Sequence, residues 1–184
     1  YVRQLVREGR HKMQLAIMEK LPQDLKGARI LDAGCGTGVL SRMLDERGAE
    51  VVGVDISEKL IEVAKNRSRS NGNIEYFAGD MKEKSFGNFD YIIAMDSLIH
   101  YSPEDVISSI AEFSKRANYS VLFTVIPSTF ALRTKLSLGK YFPKSERSPE
   151  VVPIEWGQLR QLEDLKINAC LEKIKRIKSF FYVS

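Results

Sequence analysis

Cysteine is nearly absent, with Cys35 and Cys170 the only two in 184 residues. Two thiols, one inside a glycine-rich turn, build no disulfide framework, and such a chain fits a reducing compartment. Histidine is as scarce, with His11 and His100 alone. Scattered in this way, Cys and His give none of the ligand spacings of a zinc site, so no protein-bound metal is expected. Long apolar runs are missing too. Nothing approaches the ~20 residues that cross a bilayer, and no secretory leader is visible. There is no G-x-x-x-x-G-K loop and no G-x-S-x-G nucleophile elbow. There is no internal repeat, low-complexity tract or domain linker either. The expectation is one domain over residues 1–184, cytoplasmic, with at most peripheral membrane contact.

The totals suit a folded domain with a real core, at 43% hydrophobic and 28% charged residues. Net charge is +4 and the pI is near 9.0. That mildly favours an acidic ligand, nucleic acid or an anionic membrane surface. Scattered solvated lysines are the plainer source of so small an excess. The chain starts at Tyr1 and stops at Ser184 directly after Phe180-Phe181-Tyr182-Val183, which gives the expectation that it is trimmed at both ends.

Along the chain, strands alternate with helices. Residues 2–20 hold Leu5, Val6, Met13, Ala16 and Ile17 among Arg3, Arg7, Arg10 and Lys12, reading as one or two amphipathic helices in an N-terminal arm, 1–28. Arg29 to Ala33 is the first strand, and Gly48 stops the helix that follows. Glu50 to Asp55 is the second strand. Ser57 then caps a helix with Leu60, Ile61 and Ala64 inward. Ile74 to Ala78 is the third, and the continuous apolar run Asp90 to Met95 is the fourth. Pro103 opens a helix to about Ala117, and Val121 to Ile126 is the fifth strand, stopped by Pro127. This order predicts an α/β fold with a doubly wound, mostly parallel sheet. Residues 127–153 break the rhythm with four prolines, basic residues and interleaved Phe130, Leu136, Tyr141 and Phe142. They read as an inserted lid segment after strand five. A helix from Trp156 to about Leu171 and one or two strands over Glu172 to Ser184 complete the pattern.

The most informative stretch is Leu31-Asp32-Ala33-Gly34-Cys35-Gly36-Thr37-Gly38, followed by Val51-Val52-Gly53-Val54-Asp55. A strand enters a glycine turn, a helix follows, and a second strand ends in an acid, which is half of a nucleotide-binding sheet. A dinucleotide fingerprint needs G-x-G-x-x-G to close on a pyrophosphate. The spacing at Gly34, Gly36 and Gly38 is shorter, a bed for a ligand without pyrophosphate. S-adenosylmethionine fits: its carboxylate takes amides at a helix N-terminus, and Asp55 accepts both ribose hydroxyls. Ile56 belongs with the same cofactor-binding set. Asp32 meets the ligand's ammonium group or orients the turn. Asp80 accepts the adenine amine, with the Met81 amide on a ring nitrogen; a plain Gly-Asp turn is the alternative. Asp96 ends strand four, where ligands collect in open α/β sheets, and closes on the amino-acid end. His100 follows beside the expected methyl group and is the candidate catalytic residue, with a structural role at a helix start as its alternative. Cys35 is read as a small turn filler rather than a nucleophile, and His11 as a surface residue.

The glycine stretch resembles motif I of class I S-adenosylmethionine-dependent methyltransferases. A narrower likeness lies further on. Ala94-Met95-Asp96-Ser97-Leu98-Ile99-His100-Tyr101 resembles the strand-four block of the magnesium-protoporphyrin IX methyltransferase family. So do Leu122 to Pro127 with Thr129, Tyr141-Phe142-Pro143 through Pro149 to Pro153, and the terminal Phe181-Tyr182-Val183-Ser184. The resemblance implies a Rossmann-like fold and methyl transfer to one propionate of magnesium protoporphyrin IX, in chlorophyll and bacteriochlorophyll synthesis. The products would be a monomethyl ester and S-adenosylhomocysteine, and magnesium would arrive in the substrate. It also implies handover from the large subunit of magnesium chelatase, a location at the edge of photosynthetic membranes, and an arm over the cofactor of which residues 1–28 are a part.

Three other functions compete. A quinone-precursor O-methyltransferase shares the glycine turn, but the block at 94–101 argues against it. An amino-adenine nucleic-acid methyltransferase would carry an Asn/Asp-Pro-Pro-aromatic block where Asp96-Ser97-Leu98-Ile99 stands. A non-catalytic partner of the chelatase would need neither His100 nor an intact glycine turn.

Overall fold

Ile30, Val51 and Ile93 bury themselves on one face of a central sheet, and Leu31, Val52 and Ile92 on the other. Successive strand residues point to opposite faces, so apolar runs of this kind demand cover on both sides. A computed structural model, describing residues 2–68, 72–126, 152–155 and 157–158, shows how that cover is supplied. The strands are β1 (Arg29–Ala33), β2 (Glu50–Asp55), β3 (Ile74–Ala78), β4 (Phe89–Ala94) and β5 (Ala117–Phe123). Their order is β3-β2-β1-β4-β5, and each neighbouring pair is parallel. The doubly wound, Rossmann-like α/β fold expected from the sequence is the fold observed.

Helices α1 (Val2–Met18), α2 (Val39–Asp45), α3 (Glu58–Arg67) and α4 (Pro103–Arg116) cover the sheet. Met13, Ile17 and Met18 of α1 pack with Leu40 and Leu44 of α2 over Ile30, Val51 and Ile93. Each such side chain contributes about 1.5–3 kcal/mol on burial, enough to seat a helix that has no acidic N-terminal turn of its own. On the opposite face Val106, Ile110 and Phe113 of α4, spaced for one helical stripe, meet Leu31, Val52 and Ile92. Ser102 starts α4: its hydroxyl accepts from the Asp105 amide, and Pro103 takes the first turn.

The winding reverses at β1. The chain runs β1 to β2 to β3 outward on one side, then returns to place β4 on the other. The crevice beyond the C-terminal ends of β1 and β4 is the switch point at which such sheets bind ligands.

The fifth strand begins earlier than expected. The apolar run suggested Val121 to Ile126, but β5 is Ala117–Phe123, entered directly from α4. Its first half is polar because it stands at the border of the described sheet, with Tyr119 73% exposed. Asn118 donates to Asp90 Oδ1 at 3.0 Å, replacing apolar burial as the pairing signal.

Part of the basic excess is structural. Arg29 donates to the carbonyls of Phe86 (2.8 Å) and Asn88 (2.7 Å) and lies over the Phe89 ring. Arg116, buried at the end of α4, donates to Gly87 O at 3.0 Å and faces the same ring. These guanidiniums are spent on the fold, which weakens the charge argument for nucleic acid.

The lid expected at 127–153 lies outside the described residues apart from its last two, as do the expected helix to Leu171, except Gly157 and Gln158, and the strands from Glu172. The chain on either side of it is hydrogen-bonded to the rest of the fold. Ile154 donates to Ile126 O at 2.9 Å and Val152 to Ile99 O at 2.8 Å. Ile154 is buried in the α4-side core. Both ends of the segment are therefore tied beside the turn that carries His100.

Candidate active site

The site is built on backbone that only glycine adopts easily. After β1 the chain turns through Gly34 (φ 84°), Gly36 (φ 54°) and Gly38 (φ 69°). The amides of Gly34 and Cys35 both donate to Val54 O, at 2.8 and 3.0 Å, tying the turn to the end of β2. A Cβ on Gly34 would lie 2.3 Å from Ser97 Cβ, so β1 and β4 close against each other there. Beyond the adjacent residues of the turn itself, a Cβ on Gly36 would meet no protein atom within 4 Å. The middle of the turn is thus an open face of backbone beside the crevice.

Asp55 is held from two directions. Its Oδ2 accepts from the Gly36 amide and its Oδ1 from the Ser57 amide, each at 2.9 Å. A carboxylate has about four acceptor positions, so each oxygen keeps one for a ligand. Ser57 caps α3 as expected, accepting from Leu60 N at 3.4 Å. Ile56 is 87% exposed, an isolated apolar side chain at the mouth of the crevice.

Asp32 lies deeper, 2% exposed beneath the turn. Its Oδ2 accepts from Ser41 Oγ at 2.5 Å. Burial pushes its carboxyl up to about 6, against the pull of the Ser41 hydrogen bonds. The Ser41 bond ties it to α2. Cys35 is buried, and burial raises its thiol, so it stays protonated and fills space.

Asp80 forms the Gly-Asp turn: its Oδ1 accepts from Lys82 N at 2.9 Å, and its side chain is exposed. The Met81 side chain is buried in the core. Asp96, the one described non-glycine residue with positive φ, sits at 56°. Aspartate tolerates that region better than most residues. Its amide donates to Thr124 Oγ1 at 2.8 Å, which locks the ends of β4 and β5 together. Its Oδ2 accepts from Arg10 Nε at 3.2 Å. Next come buried Leu98 and a 3-10 turn, Leu98–His100, that leaves His100 exposed.

Sequence reasoning missed Arg10, Ser41, Thr124 and Tyr76. Arg10 stood in a basic helical stripe that reads as solvated. Nothing local links it to an acid 86 residues away. The described residues hold no group of His, Cys, Asp and Glu able to bind a metal ion.

The sheet order, the open glycine turn and the fixed acid at the end of β2 define an S-adenosylmethionine-dependent methyltransferase domain. Residues 30–118 match the methyltransferase domain model, and residues 94–184 match the model of the magnesium-protoporphyrin IX methyltransferase C-terminus. The magnesium-protoporphyrin O-methyltransferase of Rhodobacter capsulatus is 44% identical over 185 residues, 100% of this chain and 81% of that protein. The chain belongs to the magnesium-protoporphyrin O-methyltransferase family. The crystal structure of magnesium protoporphyrin IX methyltransferase from Synechocystis PCC 6803, with bound SAH, matches with a TM-score of 0.75 at 27% identity, covering 88% of this chain and 74% of that one. A ubiquinone biosynthesis O-methyltransferase of Bordetella avium is 30% identical over 137 residues, 66% of this chain and 57% of that protein.

Proposed function

We propose that this chain transfers a methyl group from S-adenosylmethionine to a propionate carboxylate of magnesium protoporphyrin IX, leaving the monomethyl ester and S-adenosylhomocysteine. The carrying observation is the family match over 94–184, which starts at the end of β4 and takes in the His100 turn. The quinone-precursor alternative is less favoured, because its relative covers less of the chain and no C-terminal match accompanies it. The discriminating experiment is incubation with methyl-labelled S-adenosylmethionine and magnesium protoporphyrin. Label in a base-labile porphyrin ester is expected; no label there, with label in a quinone precursor offered in a parallel incubation, would reverse the choice.

The residues fit the cofactor. Gly36 leaves room for close approach, Asp55 keeps acceptor positions for a diol, and Ile56 offers an apolar side to adenine. Asp80 and the Met81 main chain stand beyond β3 for the ring edge. Arg10 and Asp96 present both charge signs to the zwitterionic end, with Gly34 and Gly38 shaping the turn between. The cofactor supplies an electrophilic methyl on a sulfonium. The protein has to align a carboxylate oxygen with it and keep water out. His100 aligns the propionate, and the 127–153 segment, tied at both ends beside His100, covers the porphyrin plate. Its aromatic and basic residues suit a wide apolar ring with anionic arms. Hydrogen exchange over 127–153 is expected to slow when porphyrin is added, and unchanged exchange would count against a cover.

Gly36→Val is expected to abolish cofactor binding with the fold kept. Beyond the adjacent residues of the turn itself, no protein atom lies within 4 Å of the new Cβ. The folding cost is backbone strain of about 1–2 kcal/mol, against a typical stability of about 5–15 kcal/mol. Calorimetry checks binding and circular dichroism the fold. Retained binding would remove the cofactor from this turn.

Handover from the large subunit of magnesium chelatase and contact with photosynthetic membranes belong to the same proposal. Among the described residues no helix is long and apolar enough to cross a membrane.

A further inference from the structure

Tyr76 is a buried residue in an otherwise exposed stretch of β3. Glu75, Phe77 and Ala78 face solvent, while Tyr76 is 6% exposed. Its ring runs under the glycine turn from the neighbouring strands. A Cβ on Gly53 would stand 2.6 Å from Tyr76 Cδ1, and a Cβ on Gly38 would stand 2.3 Å from its Oη. Two glycines in different elements are therefore imposed by one side chain. Gly53 lies in β2 and lets the ring cross, and Gly38 ends the turn and rests on the phenol.

The phenol also closes a hydrogen-bonded chain. Ser41 Oγ donates to Asp32 Oδ2, and Ser68 Oγ donates to Ala64 O at 3.0 Å. The phenol oxygen lies 3.0 Å from Ser68 Oγ. With the Ser68 proton given to Ala64 O, the phenol is able to donate to Ser68 Oγ, a bond that phenylalanine cannot make. Arg42 braces the other side, donating to Thr37 O at 3.0 Å.

We propose that Tyr76 is a positioning residue for the cofactor: its ring and phenol, packed against Gly53 and Gly38 and tied to Ser68, set the height of the Gly34–Gly38 turn without touching the ligand. The proposal rests on the reading that this turn binds S-adenosylmethionine. A turn propped in place presents its open face and the Gly36 amide at a fixed distance from Asp55. A turn without its prop settles toward β2, and binding must then lift it. The effect falls on cofactor affinity and not on the methyl-transfer step.

The test is the full chain carrying Tyr76→Phe, assayed with S-adenosylmethionine and magnesium protoporphyrin. KM and Kd for S-adenosylmethionine are expected to rise about five- to tenfold, the scale of one lost buried hydrogen bond, with kcat within about twofold on the same scale. Ser68→Ala, on the far side of the phenol, is expected to raise KM in the same direction. The double variant should do little more than Tyr76→Phe alone, because both cut one chain. If Tyr76→Phe does not fold, Ser68→Ala decides alone. Unchanged KM in the folded variants, or a parallel loss of kcat and thermal stability, would overturn the proposal. Gly36→Val in the same assay separates the underlying reading, since retained binding there removes the cofactor from the turn whatever Tyr76 does.

Discussion

His100→Ala is expected to lower kcat by about 10²-fold or more, the scale of a positioned catalytic group, while S-adenosylmethionine still binds. His100 ends the 3-10 turn at the switch point, exposed and next to Ile99, whose carbonyl holds Val152. The easy reading makes it a general base. Yet a propionate, with a carboxyl pKa of about 4.3, is already ionised near pH 7. An ionised carboxylate needs no deprotonation to attack a methyl sulfonium. A base becomes useful only if burial keeps the acid protonated. Positioning is the better account: a hydrogen bond from His100 holds one carboxylate oxygen in line with the methyl and sulfur, at about 3–3.5 Å. His100→Gln separates the two roles. A neutral donor restores much of the positioning and none of the titration. A dead Gln variant would favour the base. Full activity in His100→Ala would refute both.

The parts of the fold that sequence shows best are those set by local pattern. β1, β2 and β3 have the expected bounds, because each is a short apolar run closed by glycine or aspartate. Ser57 caps the helix it precedes, and Pro103 opens α4. β5 is the failure, and the reason is position. A strand at the border of the described sheet is selected by backbone pairing and the Asn118–Asp90 bond, not by hydrophobicity. The site divides in the same way. Residues that act through backbone conformation, such as Gly34 and Gly36, announce themselves by type. Those that act across the fold do not. Tyr76 reads as an ordinary strand aromatic until the turn is placed above it. Arg10 reads as surface charge until α1 lies against Asp96. Asp55 sits between these cases, since its acidity and place were legible and its two amide partners were not.

Those partners shape the second large effect, Asp55→Ala. The loss of S-adenosylmethionine affinity is expected to reach at least tenfold, where about 1.4 kcal/mol is tenfold. Hydrogen bonds to a charged acceptor contribute about 1.5–3 kcal/mol each before water compensates. Two kinds of bond disappear together in this variant. The proposed bonds to the ribose hydroxyls are lost, and so are the 2.9 Å bonds from the Gly36 and Ser57 amides. A drop in affinity alone cannot divide them. Asp55→Asn does not help, because one amide partner would then face an NH₂ donor instead of an oxygen. Changing the ligand does. Wild-type protein should bind a 2′-deoxyribose analogue of S-adenosylhomocysteine more weakly than the parent, and Asp55→Ala should bind the two about equally, since the partner of the missing hydroxyl is gone. If the deoxy analogue loses the same affinity on both proteins, the carboxylate serves only to staple the glycine turn to α3, and the ribose is held elsewhere. Calorimetry of both ligands on both proteins decides between these outcomes.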